Sequence, residues 1–116
     1  MTQAWIREAP PGAAVHAGYL VLRNNGDEDL VLSAVTSPAF ARIELHEMTM
    51  HDGQMRMRRL DKIPMPAGAT INLEPGGKHL MLFRATEPVT AGQHLPLELN
   101  FGAIAIAVDA EVRRKN

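Results

Sequence analysis

Breaks rather than long runs govern this chain. Asn24-Asn25-Gly26-Asp27, Pro38, Asp52-Gly53, Pro64-Met65-Pro66-Ala67-Gly68, Pro75-Gly76-Gly77, Ala91-Gly92 and Gly102 follow a first break at Pro10-Pro11-Gly12. None of the segments between them reads as a helix of three turns, because proline and glycine interrupt both the hydrogen bonding and the dihedral preference a helix needs. The segments instead carry strand signatures. Residues 15–23 are almost continuously apolar, residues 30–37 are rich in β-branched side chains, and residues 41–50 alternate Ile43 and Leu45 with Arg42, Glu44 and His46. Residues 54–60, 69–74, 78–85, 95–101 and 104–112 complete the set, after a short apolar opening at residues 4–8. Residues 63–68 read as a loop stiffened by two prolines. About eight to nine short antiparallel strands separated by turn signals predict an all-β Greek-key sandwich or barrel.

A chain of 116 residues is one domain, residues 1–116, with loose termini expected at 1–3 and 113–116. It is long enough to bury a core without a structural metal. The net charge of −1 is spread over mixed residues and the only basic run is Arg113-Arg114-Lys115, so no nucleic-acid or anionic-membrane partner is expected. No apolar run reaches the ~20 residues of a membrane-spanning helix, so no membrane insertion is expected. The opening Ala4-Trp5-Ile6-Arg7-Glu8 lacks the pattern of a secretory leader, which fits a cytosolic protein or a mature form read without its leader. With no cysteine, disulfides, zinc thiolate sites and thiol redox chemistry are excluded.

The seven methionines are placed unevenly: Met48, Met50, Met55 and Met57 crowd around Asp52-Gly53. If those two residues form a type I′ turn, Met50 faces Met55, Met48 faces Met57, and His46 lies diagonally from Met57. All five side chains then share one face, with Leu45 and Leu60 on the other. A slip of one residue would destroy this arrangement. His79 and Met81, two apart, likewise point to one side while Leu80 and Leu82 point to the other. Together they would make a four-donor cluster of His46, Met57, His79 and Met81.

Imidazole and neutral thioether suit a soft ion of low charge, Cu(I) above all. Zn(II) would want thiolates or a carboxylate beside its histidines, and a blue-copper centre would want a cysteine. Free imidazole titrates near 6.5, so lowering the pH to 5 should weaken a two-histidine Cu(I) site by ~2 kcal/mol per ring.

The spacing from His46 to Met57, His79 and Met81 matches the H-x10-M-x21-H-x-M signature of the PCuAC family of periplasmic copper chaperones. The chain also resembles that family at Ala4-Trp5-Ile6-Arg7, at Ala17-Gly18-Tyr19, at Ile63-Pro64-Met65-Pro66-Ala67-Gly68 and at Pro75-Gly76-Gly77-Lys78-His79-Leu80-Met81. The resemblance implies a cupredoxin-like sandwich, a periplasmic location and His46, Met57, His79 and Met81 as Cu(I) ligands. It further implies a monomeric carrier that hands copper to an acceptor. That acceptor would be a Sco-like thioredoxin-fold protein or the copper-binding subunit of cytochrome c oxidase.

For Met48, Met50 and Met55 three readings are open: auxiliary donors, a shell that excludes water, or a greasy docking surface. His51, at the hairpin tip, reads first as a solvated turn residue and second as an auxiliary donor. His16 and His94 lack soft neighbours, and Trp5 reads as packing. A non-enzymatic metallochaperone is the leading reading. Copper sequestration, a copper-dependent redox enzyme and a metal-free binding module are its rivals.

Overall fold

The computed structural model describes residues 3–9 and 14–114, and for Gln3 and His51 the backbone alone. The Pro10-Pro11-Gly12 break lies outside them. Eleven strands follow one another: β1 (Gln3–Arg7), β2 (Val15–Arg23), β3 (Leu30–Leu32), β4 (Ala34–Thr36), β5 (Phe40–His51), β6 (Gln54–Leu60), β7 (Ile63–Met65), β8 (Thr70–Leu73), β9 (Lys78–Ala85), β10 (His94–Phe101) and β11 (Ile104–Arg113). The described residues contain no helix, and so none long and apolar enough to cross a membrane. Pairing runs in the order β4-β10-β11-β1-β2-β8-β9-β5-β6, with β2 also bonded to β9 and a separate β3-β7 pair. The long sheet curls upon itself, so that Ile6, Leu20, Leu80, Leu82, Leu99 and Val112 meet in one core with Leu32 and Met65 of the small sheet.

The all-β expectation holds, with three departures in detail. The stretch 30–37 is two strands, because the chain changes sheets at Ser33: β3 pairs with β7, β4 with β10, and the Ser33 amide donates to the Asn100 carbonyl at 2.9 Å. The segment with two prolines, expected as a loop, contains strand β7. Ile63 and Met65 point into the core while Pro64, which has no amide hydrogen to offer, is exposed on this edge. Finally, β8 meets β9 in parallel at Leu73 opposite Lys78, and β1 lies parallel to β11, from Ala4 opposite Ala110 to Arg7 opposite Arg113. No hairpin turn joins β1 and β11, so nothing local imposes an antiparallel direction on them. Gln3, paired with Val21, and Arg113 are thus already held in strands, whereas residues 1–2 and 115–116 lie outside the described residues.

Strand β2 bridges the two halves of the sheet. Its first residues pair with β9 and its last with β8, and Gly18 sits at the change of partner, opposite Leu80. A methyl group at Gly18 would come within 2.9 Å of Leu82 Cδ1 and 3.4 Å of Leu80 Cβ. Both leucines are fully buried and cannot swing out. Gly18→Ala is therefore expected to cost about 1–3 kcal/mol through overpacking. Urea unfolding would check this, and an unchanged midpoint would count against so tight a contact.

Candidate metal centre

The hairpin has the register that its turn chemistry implies. Asp52 and Gly53 both adopt positive φ, 50° and 78°, and Met50 faces Met55, Met48 faces Met57, and Leu45 faces Leu60. On its other side β5 pairs with β9, which sets His46 directly opposite His79 and Glu44 opposite Met81. Because side chains alternate, the even-numbered residues of β5 from Glu44 to Met50 and the odd-numbered residues of β6 and β9 beside them share the face turned away from the core. The leucines between them, Leu45, Leu80 and Leu82, are in the core. The candidate site is thus laid on the outer surface of a sheet whose inner surface is fully packed.

The two imidazoles stack, with ring centroids 6.0 Å apart and an interplanar angle of 25°. Met57 lies one diagonal step from His46 on β6, and Met81 one diagonal step on β9, at opposite corners of the histidine pair. Three strands therefore place all four sequence-predicted donors on one face, with a thioether diagonal to His46 on either side of β5. They differ in exposure: His79 is buried at 6%, Met81 is half-buried and Met57 is 49% exposed. Beside them, Met48 stands between Met57 and Gly77. The Gly77 carbonyl accepts the Met48 amide hydrogen at 3.1 Å and a hydrogen from His79 Nδ1 at 3.1 Å. That bond assigns the proton of neutral His79 to Nδ1 and leaves the Nε2 lone pair for a ligand.

His46 is held the other way round. Its Nε2 donates to the Glu44 carboxylate at 3.0 Å, and its Nδ1 is buried with no hydrogen-bond partner. A buried, unpartnered ring nitrogen is costly unless something occupies it. A metal ion would accept that lone pair, and the carboxylate behind the ring would orient it and raise its basicity. Glu44 is the residue that sequence reasoning passed over. Its signal was present, since it precedes His46 by two positions and so shares its face. The Glu44 carboxyl is held below its ordinary value of 4.5, first by the His46 hydrogen bond and then by Arg59 and Arg42, against a desolvation that raises it. Arg42 also pairs with it at 2.9 Å.

Two expected outcomes follow from this arrangement. Glu44→Gln keeps a hydrogen-bond acceptor but loses the charge, and should weaken metal binding by about 10–100-fold, the usual effect of an altered supporting contact. A competition titration would measure it, and affinity equal to wild type would remove Glu44 from the site. The same carboxylate affects stability. Because its folded pKa is lowered, its contribution is fully present above 4.5 and is lost as the pH falls through the folded value. Wild type should therefore lose its stability advantage over Glu44→Gln on acidification, as unfolding curves across that range would show.

The remaining histidines and aromatics stand apart. His16 is buried beside Phe40 with Nδ1 3.4 Å from the Arg7 carbonyl, and His94 pairs with Asp109 on the exposed surface of β10 and β11. Trp5 packs on Tyr19 at 4.7 Å, with Arg113 5.4 Å above its ring. The His51 side chain lies outside the described residues. Among the described residues, no three His, Asp or Glu side chains are grouped to hold a metal, whereas thioethers share the face of the imidazole pair. Imidazole with thioether suits soft ions.

Comparison with known proteins gives a consistent picture. The model of a family described as "Putative lipoprotein LpqE-like" matches residues 1–112. "Putative lipoprotein Lxx21020" of Leifsonia xyli subsp. xyli is 31% identical over 102 residues, which are 87% of this chain and 60% of that protein. The chain thus spans well under two thirds of that relative. Among solved structures, the copper-bound PCuAC domain from PmoF2 superposes with a TM-score of 0.81 at 23% identity, covering 98% of this chain and 92% of that one. The apo PCuAC domain from PmoF1 gives 0.80 at 24%, with the same coverage. The solution structure of CuI-DR1885 from Deinococcus radiodurans gives 0.69 at 25%, covering 97% and 76%. At these identities the first two likenesses speak to the fold.

Proposed function

The chain belongs to the LpqE-like lipoprotein family, and from that premise we propose that it is a copper carrier that binds Cu(I) through His46, Met57, His79 and Met81. The observation that carries this reading is the pair of opposed imidazoles, each with one nitrogen committed to a protein acceptor and the other left for a ligand, between two thioethers. Copper-bound and Cu(I)-loaded domains of the same fold support it.

The chemistry is that of loading and release rather than turnover. Thioethers are neutral and soft, so they hold Cu(I) without the protonation that thiolates undergo. Neither Met57 nor Met81 is buried, which lets an incoming acceptor replace one sulfur before the ion leaves the histidines. The carrier acts without catalysis, as a monomer, and passes its ion to a protein with a stronger site. A Sco-like thioredoxin-fold protein and the copper-binding subunit of cytochrome c oxidase are acceptors of that chemistry. Its work lies in the periplasm, and the lipoprotein descriptions of its family and relative support a place outside the cytoplasm.

An anaerobic Cu(I) titration against a chromophoric chelator tests the proposal. One tightly bound equivalent is expected in the wild type, markedly weakened by Met81→Leu. No tight binding would leave a metal-free sandwich module as the better description.

A further inference from the structure

The methionines that the four-donor site does not use form a group of their own. Met50 and Met55 are direct cross-strand partners at the end of the β5–β6 hairpin, and Met48 is diagonal to Met55 on the same face. Among the described residues strand β6 pairs with β5 alone, and every residue from Gln54 to Arg59 is exposed. Met50 is 65% exposed and Met55 50% exposed. Such exposure is incompatible with a shell that keeps water from the copper, one of the roles open from the sequence. Methionine is also not needed here for packing: of the described methionines only Met65 is in the core.

From this arrangement we propose that Met48, Met50 and Met55 form a second, three-thioether site for a soft monovalent ion, Cu(I) or Ag(I). Directly opposed residues of an antiparallel pair have Cβ atoms about 4.5–5.5 Å apart, and diagonal ones are still within reach of long side chains. Three flexible thioethers on one face can therefore converge on one ion. Thioethers select soft ions and repel none by charge. The site lacks imidazole, so it binds more weakly and exchanges faster than the histidine pair. It also lies in line with that pair: Met57, which faces Met48, is diagonal both to Met50 and to His46. An ion captured at the hairpin tip thus has a continuous row of sulfurs leading to His46 and His79. The inference adds a site to the carrier reading and stands on the hairpin alone.

The test is an Ag(I) titration of the full chain, which avoids oxidation, followed by the methyl resonances of 13C-labelled methionine. In the wild type the first equivalent should shift Met57 and Met81, and a second should shift Met48, Met50 and Met55. Met50→Leu/Met55→Leu removes two of the three donors and should weaken the second equivalent by roughly a hundredfold or more, beyond the effect of losing a supporting contact at a metal site, and leave the first intact. Both positions are exposed, so the variant should fold as the wild type does. In a His79→Ala/Met81→Leu background, the ion that still binds should shift Met50 and Met55. A wild type that takes one equivalent only, or a second equivalent indifferent to the two leucines, overturns the inference while leaving the four-donor site standing. Binding to the hairpin without binding at the histidines would do the reverse.

Discussion

His79→Ala is expected to lower Cu(I) affinity by roughly a hundredfold or more, since it removes a ligand and so exceeds the effect of losing a supporting contact. Among the described residues His46 is the only other imidazole beside the ring nitrogen that faces the site. His46 is already the opposite member of the pair, the Glu44 carboxylate is engaged with His46 and Arg42, and Gly77 offers no side chain. Chelator competition under reducing conditions would measure the change, with His94→Ala as the control, because His94 sits with Asp109 on the exposed surface of another part of the sheet. Equal affinities for His79→Ala and His94→Ala would refute the assignment. The fold should be kept despite the loss of a buried ring and its bond to the Gly77 carbonyl, because the backbone pairing of His79 with β5 does not depend on the ring.

The neighbouring residue should behave in the opposite way. Leu80 is fully buried and points to the inner surface, against Gly18 and Leu82. Leu80→Ala is expected to cost about 2–5 kcal/mol, the transfer term plus the cavity it leaves. For a domain of this size that lowers Tm by roughly 10 °C or more. The folded fraction should bind copper as the wild type does, since strand β9 still presents His79 and Met81 outward. Thermal unfolding and titration of the same sample separate the two effects. A variant of normal stability with impaired binding would mean that the faces of β9 have been assigned the wrong way round.

This opposition of phenotypes within three residues rests on the alternation of a strand, and that much could be read from the chain. Strand β9 spans the residues expected for it, and the Asp52-Gly53 turn delivered the register that puts Met48, Met50, Met55 and Met57 on the face of His46. Both are local matters: a period of two, and a turn whose two central residues must take positive φ. The divided strand at Ser33, the strand made of Ile63–Met65 and the parallel β1–β11 pair were not legible, because each depends on a partner remote in sequence. Local propensity does not say which distant edge a strand will join, and the burial of both faces decides it.

The candidate site divides along the same line. Donor types, their spacing and their common face followed from the sequence, and with them the preference for a soft ion. Only the tertiary structure decided that β9 lies beside β5 in the register that opposes His46 and His79. That register follows from packing Leu45, Leu80 and Leu82 into one core, for a shift of one residue would turn those leucines to water and the histidines inward. The bonds that leave a different nitrogen open on each ring are local, Glu44 with His46 and Gly77 with His79 each two residues apart, and the tertiary structure decided only that the two rings meet. Residue chemistry selected the ion, and burial of the opposite face positioned the groups that would hold it.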